Sequence, residues 1–185
     1  MQILYFLYFI KFLFYLDGKL IEGGNSLGAE LGHVTLVADG EPCACGRKGC
    51  VEQYVSASAL IRDTKRAMLK DKNSSMWKAV GGDIEKVDGK TAFTEAKHGD
   101  ESAITVIDNF VKYLGETIMS YSNIFRPDVF IIGGGISFQG EYLTDKIHEY
   151  CKKHNYGYKG LAPCKITTAK LFNDAGIIGA YCLVK

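Results

Sequence analysis

The sequence predicts an α/β protein, because helical and strand-like segments alternate along its second half. Residues 101–124 carry apolar side chains at three- and four-residue steps, as a long helix with one buried face does. The run 129–132 is continuously apolar and opens into three glycines, which is typical of a strand buried on both faces. A helix near 140–154, a strand near 164–169 and a terminal helix from about Asp174 complete the predicted order.

The composition is that of a soluble globular chain, and it bounds the possible partners. Of 185 residues, 47% are hydrophobic and 23% are charged, enough for one compact domain or a domain with an appendage. The net charge of +1 argues against binding nucleic acid through a broadly cationic surface. Small molecules or proteins are therefore the expected partners, and nucleic acid is not.

The first 16 residues are apolar and aromatic apart from Gln2 and Lys11. The run is shorter than the ~20 residues of a membrane span, and it lacks the basic start and the cleavage site of a signal peptide. Asp17-Gly18 supplies the positive φ angles of a two-residue turn. We therefore predict a hairpin formed by residues 8–16 and 19–22, with a membrane role as the alternative.

The segment that follows reads as turns, short strands and helices. Residues 23–32 are rich in glycine, 33–37 form a β-like run, and 38–40 form a turn. A helix with a basic, solvated face begins near Ser56, and residues 73–100 predict short helices and loops.

Four residues have the types and spacing of metal ligands, H-x9-C-x-C-x4-C: His33, Cys43, Cys45 and Cys50. Three thiolates and one imidazole are the donors that zinc prefers in closed structural sites. Four protein ligands leave no position for a catalytic water, so this zinc would be structural. The alternative is a group of free or buried cysteines beside an unrelated histidine.

Two glutamates flank this loop. Glu30 precedes His33 by three residues, and Glu52 follows Cys50 by two. A metal that fixes both ends of the loop would hold these carboxylates where they can accept hydrogen bonds from a sugar or another polyol. The alternative is a pair of solvated surface side chains.

The same residues belong to a long motif. Residues 28–33 (GAELGH) and 43–52 (CACGRKGCVE) closely resemble the signature of the ROK family of sugar kinases and repressors, in particular its glucokinase-like members. Residues 126–137 (RPDVFIIGGGIS) resemble the strand and glycine loop on the adenosine side, and 173–180 (NDAGIIGA) the C-terminal motif. The resemblance spans about residues 17–185.

The resemblance implies a fold and a set of site residues. The fold would be the C-terminal lobe of a bilobal sugar kinase, an actin-like, ribonuclease-H-like ATPase domain with a structural zinc loop at residues 33–52. His33 and the three cysteines would bind zinc, while Glu30, His33 and Glu52 would contact the sugar hydroxyls. Three glycines would let the backbone approach the nucleotide: Gly133, Gly134 and Gly135. By themselves these glycines predict only a strand-to-helix turn.

The activity implied by the resemblance is transfer of the ATP γ-phosphate to a hexose hydroxyl, the glucose 6-hydroxyl in particular, with Mg²⁺ bridging the phosphates. The family also implies a cytoplasmic homodimer. A sugar-responsive repressor is an alternative, but no basic recognition helix precedes Gly23. A second alternative is a catalytically inactive, zinc-stapled module for sugar binding or dimerisation.

The N-terminal residues depart from the family pattern. Where the family has a glycine-rich phosphate loop before the hairpin, residues 5–10 contain no Gly, Ser or Thr. The family's general-base aspartate lies in an N-terminal lobe that this sequence does not match, so we assign no catalytic residue. We expect an atypical segment at 1–16, a kinase lobe at 17–185, and little or no activity of this chain alone.

Overall fold

The protein is described by a computed structural model that covers residues 2–6, 12–25, 28–154 and 164–171, with backbone alone for 2–6, 12 and 13. The predicted terminal helix from about Asp174 and the motif at 173–180 lie outside the described residues.

Five strands and six α-helices are described. The strands are β1 (Gln2–Phe6), β2 (Phe12–Leu16), β3 (Lys19–Leu20), β4 (Val129–Ile132) and β5 (Lys165–Thr168). The helices are α1 (Glu52–Val55), α2 (Ala57–Lys70), α3 (Met76–Ala79), α4 (Thr91–Lys97), α5 (Glu101–Phe125) and α6 (Glu141–His154). Short 3-10 turns lie at Leu31–His33, Ile84–Lys86 and Gly135–Gln139.

The strands form one mixed sheet in the order β3-β2-β1-β4-β5. Strand β1 pairs in parallel with β4, and β4 with β5, while β1–β2 and β2–β3 are antiparallel. The predicted hairpin is present between β2 and β3, where Asp17 and Gly18 adopt φ angles of 51° and 78°. It is shorter than predicted, and residues 8–11 lie outside the described part of the chain. Strand β1 was not predicted.

The helices follow the predicted periodicity. Helix α2 begins where the Ser56 hydroxyl oxygen accepts a hydrogen bond from the Ala59 N–H, at 2.9 Å. Helix α5 ends at Phe125, and the next residue, Arg126, has a left-handed φ of 45° directly before Pro127. The long helix, the helix near 140–154, the strand near 164–169 and the short helices of 73–100 are confirmed.

Two predictions about strands need correction. Residues 33–37 are not a strand: only Thr35 forms a bridge, with Cys50, because the N–H groups of Leu36 and Val37 both donate to the Gly49 carbonyl. Strand β4 was predicted to be buried on both faces. Only the face that carries Phe130 and Ile132 is buried, and the alternate residues on the other face are half-buried.

Helix α5 is the centre of the core. It packs against α2, α4 and α6, and its buried face includes Ile107, Phe110 and Leu114. Full burial of each such side chain contributes about 1.5–3 kcal/mol. No helix in the described ranges is both long enough and apolar enough to cross a membrane.

Candidate functional site

The loop that carries the four predicted metal ligands is tied together by its own backbone. Two antiparallel bridges close it, Thr35 with Cys50 and Pro42 with Lys48. Gly49 lies at the tightest point, with a φ of +74°, and a Cβ built there would come within 1.6 Å of the Val37 carbonyl oxygen. A side chain at this position is therefore incompatible with the observed path of the loop.

The ligand atoms of His33, Cys43, Cys45 and Cys50 lie within 4.8 Å of one another. The Cys43 Sγ is 3.6 Å from His33 Nδ1, and the Cys45 and Cys50 sulfurs are 3.6 Å apart. Donors placed ~2.0–2.3 Å from a tetrahedral centre have separations of this size. Cys43 and Cys50 are buried and Cys45 is exposed, so the cluster could hold one metal ion with two of its sulfurs away from solvent.

The charges of this cluster suit a divalent cation. The backbone N–H of Arg47 lowers the pKa of the Cys45 thiol, because it stabilises the thiolate. Burial is the largest cause that raises the pKa of Cys50, and the neighbouring thiols add to it; together they raise it to about 12. A bound cation would offset the repulsion among three thiolates, and the S₃N donor set is the one that zinc prefers.

One of the two predicted carboxylates lies directly beside the cluster. Glu52 Oε2 is 3.7 Å from His33 Nδ1, and the two side chains are 35% and 37% exposed. Glu52 begins helix α1, one residue after the buried Val51. The structure thus brings His33 and Glu52 together at a surface that a ligand can reach.

Glu30 lies on the turn that also carries His33. Its side chain is exposed, and its carbonyl accepts a hydrogen bond from the His33 N–H at 3.1 Å. The chain reaches this turn through a close crossing, in which a Cβ on Gly28 would come within 2.7 Å of the Gly23 nitrogen. A side chain at position 28 would therefore clash with the backbone at residues 22 and 23, and this crossing needs glycine.

Tyr121 supports the same turn from the core, a role that sequence reasoning missed. It is 1% exposed on α5, and its hydroxyl donates to the Leu31 carbonyl, which lies between Glu30 and His33 in the chain. Burial raises the pKa of Tyr121, so the hydroxyl stays protonated as a donor. The periodicity of α5 indicates that residue 121 is buried, but no sequence signal identifies a partner 90 residues away.

Arg47 is a second missed residue. Its guanidinium donates to the His33 carbonyl at 3.3 Å and to the Thr35 hydroxyl at 2.8 Å. It therefore joins the tip of the metal loop to the segment that carries the histidine ligand.

The glycine-rich turn follows β4 at the edge where parallel strands end. Gly133 and Gly134 are buried and Gly135 is half-buried. Gly134 has φ 71° and ψ −169°, a conformation restricted almost entirely to glycine. The Ser137 hydroxyl donates to the Gly134 carbonyl at 2.5 Å and closes the turn. Ligands of open α/β sheets bind at this type of edge.

Solved structures identify the class of protein that has this fold. The sheet and helices match a ROK family glucokinase from Streptomyces griseus, determined in complex with glucose and AMPPNP, with a TM-score of 0.89 and 28% identity over 98% of this chain and 59% of that one. They also match a ROK hexokinase from Thermus thermophilus, with a TM-score of 0.77 and 27% identity over 99% of this chain and 58% of that one. The fold is that of the sugar kinases in the actin-like ATPase group.

The chain belongs to the ROK family, whose sequence profile matches residues 13–185. It is 36% identical to a glucokinase from Thermotoga maritima over 172 residues, which are 91% of this chain and 52% of the relative. Its relatives also include a regulator, a xylose repressor from Caldicellulosiruptor bescii that is 27% identical. The chain spans about half the length of the curated relatives that it matches.

Proposed function

We propose that this chain is the hexose-recognising part of a ROK sugar kinase, which transfers the ATP γ-phosphate to a hexose hydroxyl, with the glucose 6-hydroxyl as the first candidate. The observation that carries this proposal is the placement of Glu52 Oε2 3.7 Å from His33 Nδ1, on a loop fixed by its own backbone. Membership of the family and the glucokinase relatives support it.

The site residues are suited to hydroxyl groups. The carboxylates of Glu52 and Glu30 would accept hydrogen bonds from neighbouring sugar hydroxyls. His33 Nδ1 faces the Cys43 sulfur, so the imidazole would bind a metal through Nδ1 and carry its proton on Nε2. The Nε2–H would then donate to a sugar oxygen, and the metal would fix the tautomer.

We propose that the Cys₃His cluster holds zinc in a structural role. His33, Cys43, Cys45 and Cys50 would fill the four positions of a tetrahedral ion, which leaves none for a reacting water. The ion would supply rigidity to the loop, and thereby fix Glu52 and His33 relative to each other.

We propose that the nucleotide, ATP with Mg²⁺, approaches the turn formed by Gly133, Gly134 and Gly135. The support is the position of this turn beyond the end of β4, together with the glycine-only conformation of Gly134. Bare backbone there would allow the nucleotide to lie against the sheet edge. Residues 17–185 would thus carry one side of the sugar site and one side of the nucleotide site.

We expect this chain to bind glucose without phosphorylating it, because no residue matches the family's general base. Proton removal and phosphate positioning both contribute to the barrier, so their loss removes nearly all of the rate. This expectation overlaps with the alternative of an inactive sugar-binding or dimerisation module. The regulator alternative rests on family membership and has no support from the site geometry.

The experiment is calorimetric titration of glucose into the zinc-quantified 185-residue chain, followed by a coupled ATP-dependent phosphorylation assay. Glu52→Gln should weaken glucose binding at least ~10-fold, about 1.4 kcal/mol, whereas Glu149→Gln on the exposed face of α6 should not. Saturable binding without turnover supports the proposal. Turnover would contradict the expected inactivity, and unchanged affinity in Glu52→Gln would contradict the assigned site.

A further inference from the structure

An exposed aromatic side chain follows the glycine turn, and the proposed function gives it no role. Phe138 lies in the 3-10 turn Gly135–Gln139, shortly after β4, and it is 55% exposed. Single exposed apolar residues are common on protein surfaces, so exposure by itself indicates nothing. The significance of Phe138 comes from what lies on the same face of the turn.

The geometry of the turn places Phe138 on the same face as Gly135. A 3-10 helix has three residues per turn, so positions i and i+3 lie above one another. Ser137 lies on another face, where it is 1% exposed and its hydroxyl donates to the Gly134 carbonyl at 2.5 Å. Because Gly135 has no side chain, the phenyl ring stands next to bare backbone on the outward side of the turn.

A contact with α4 holds the outer end of this turn. The Lys97 ammonium donates to the Gln139 side-chain oxygen at 3.0 Å. The same ammonium lies 4.7 Å from the centroid of the Tyr142 ring, at the start of α6. The backbone that carries Phe138 is therefore joined to its neighbours before any ligand binds, and less conformational entropy is lost when one does.

The topology of the sheet puts this face at an edge where ligands bind. Strands β1, β4 and β5 are parallel and end at the same edge. A second apolar side chain at that edge, Leu171, follows β5 and is 50% exposed. Bare backbone flanked by an exposed phenyl ring suits a flat ligand with two apolar faces, such as a nucleobase.

We propose that Phe138 is the stacking platform for the purine ring of the nucleotide, and that it favours a nucleoside triphosphate over a bare polyphosphate. The purine would lie against the phenyl ring, as bases do on aromatic side chains. The ribose and phosphates would follow the bare backbone of Gly134 and Gly135. This inference rests on the proposed approach of ATP to the glycine turn, and it adds the residue that recognises the base.

The test is titration of three ligands into the full 185-residue chain, by calorimetry and by NMR. They are ATP with Mg²⁺, adenosine, which has the base without phosphates, and tripolyphosphate with Mg²⁺, which has phosphates without a base. Phe138→Ala should weaken the binding of ATP and of adenosine at least ~5-fold, as loss of a base-stacking ring does, and should leave tripolyphosphate affinity unchanged. A merely structural role would weaken all three ligands.

Further variants separate stacking from packing. Phe138→Tyr keeps the ring and should retain the affinity for ATP, whereas Phe138→Leu keeps only an apolar side chain and should bind ATP more weakly. Ile124→Ala, at an exposed position of α5 before the opposite end of β4, should change nothing. Adenosine should also move the NMR signals of the Phe138 ring protons upfield, because a stacked base shields them.

Two kinds of failure are distinguishable. Unchanged ATP and adenosine affinity in Phe138→Ala would overturn this inference alone, and so would equal losses for all three ligands. Absence of ATP binding to the unmodified chain would overturn the proposed nucleotide turn and this inference together.

Discussion

Replacement of Gly49 by alanine should open the metal loop, and a second glycine in the same loop provides the control. A Cβ at Gly49 meets the Val37 carbonyl oxygen at 1.6 Å, whereas a Cβ at Gly46 meets nothing within 4 Å. Both glycines have positive φ, +74° and +87°. The two variants therefore share the cost of a left-handed alanine, and they differ in the steric clash.

The magnitude follows from these contacts. A left-handed alanine costs about 1–2 kcal/mol, which is the whole effect expected for Gly46→Ala. In Gly49→Ala the clash forces the backbone apart and breaks the hydrogen bonds that its carbonyl accepts from Leu36 and Val37, at 2.7 and 3.1 Å. Each is worth about 1 kcal/mol, so the total is about 3–4 kcal/mol.

Urea unfolding of the two variants, with and without zinc, measures this difference. Gly49→Ala should also lose metal affinity, because position 49 directly precedes the ligand Cys50. Equal unfolding free energies for the two variants would refute the account of the loop as a structure closed around Gly49.

Two further predictions concern the metal and a helix cap. Cys45→Ser should release zinc and destabilise the chain by several kcal/mol, as measured by zinc quantification and urea unfolding. Cys164→Ser, which changes a cysteine outside the cluster, should retain zinc. A zinc-free Cys45→Ser variant of unchanged stability would exclude a structural ion. Burial alone would raise the pKa of Asp100, but hydrogen bonds from the Ala103 and Ser75 N–H groups and from the Ser74 hydroxyl more than offset it, and the pKa is lowered. The stability that this carboxylate contributes is therefore fully present above its unfolded pKa of about 4 and is lost as pH falls through the lower folded value. Asp100→Ala should cost about 1 kcal/mol at pH 7 and flatten the acid limb of the stability curve; an unchanged acid limb would contradict this assignment.

The sequence predicts those elements whose determinants are local. The apolar period of residues 101–124 predicts α5, and Asp17-Gly18 predicts the turn between β2 and β3. The spacing of histidine and three cysteines predicts a cluster that the structure brings within 4.8 Å. In each case, the residues that decide the structure are neighbours in the chain.

Elements that depend on partners far away in the chain were not predicted from the sequence. Strand β1 is stabilised by parallel pairing with β4, as in the register of Ile3 with Val129, and no local pattern specifies that partner. Residues 33–37 have the composition of a strand, but the N–H groups of Leu36 and Val37 donate to the Gly49 carbonyl within the loop. The support of Leu31 by Tyr121 likewise depends on how α5 packs.

Calorimetric titration of glucose into zinc-loaded and chelator-treated chain tests whether a metal-fixed loop presents His33 and Glu52 to a hexose. We expect one glucose site per zinc-loaded chain and at least ~10-fold weaker binding after zinc removal. Glucose affinity that is independent of zinc, or no binding to the zinc-loaded chain, would contradict it.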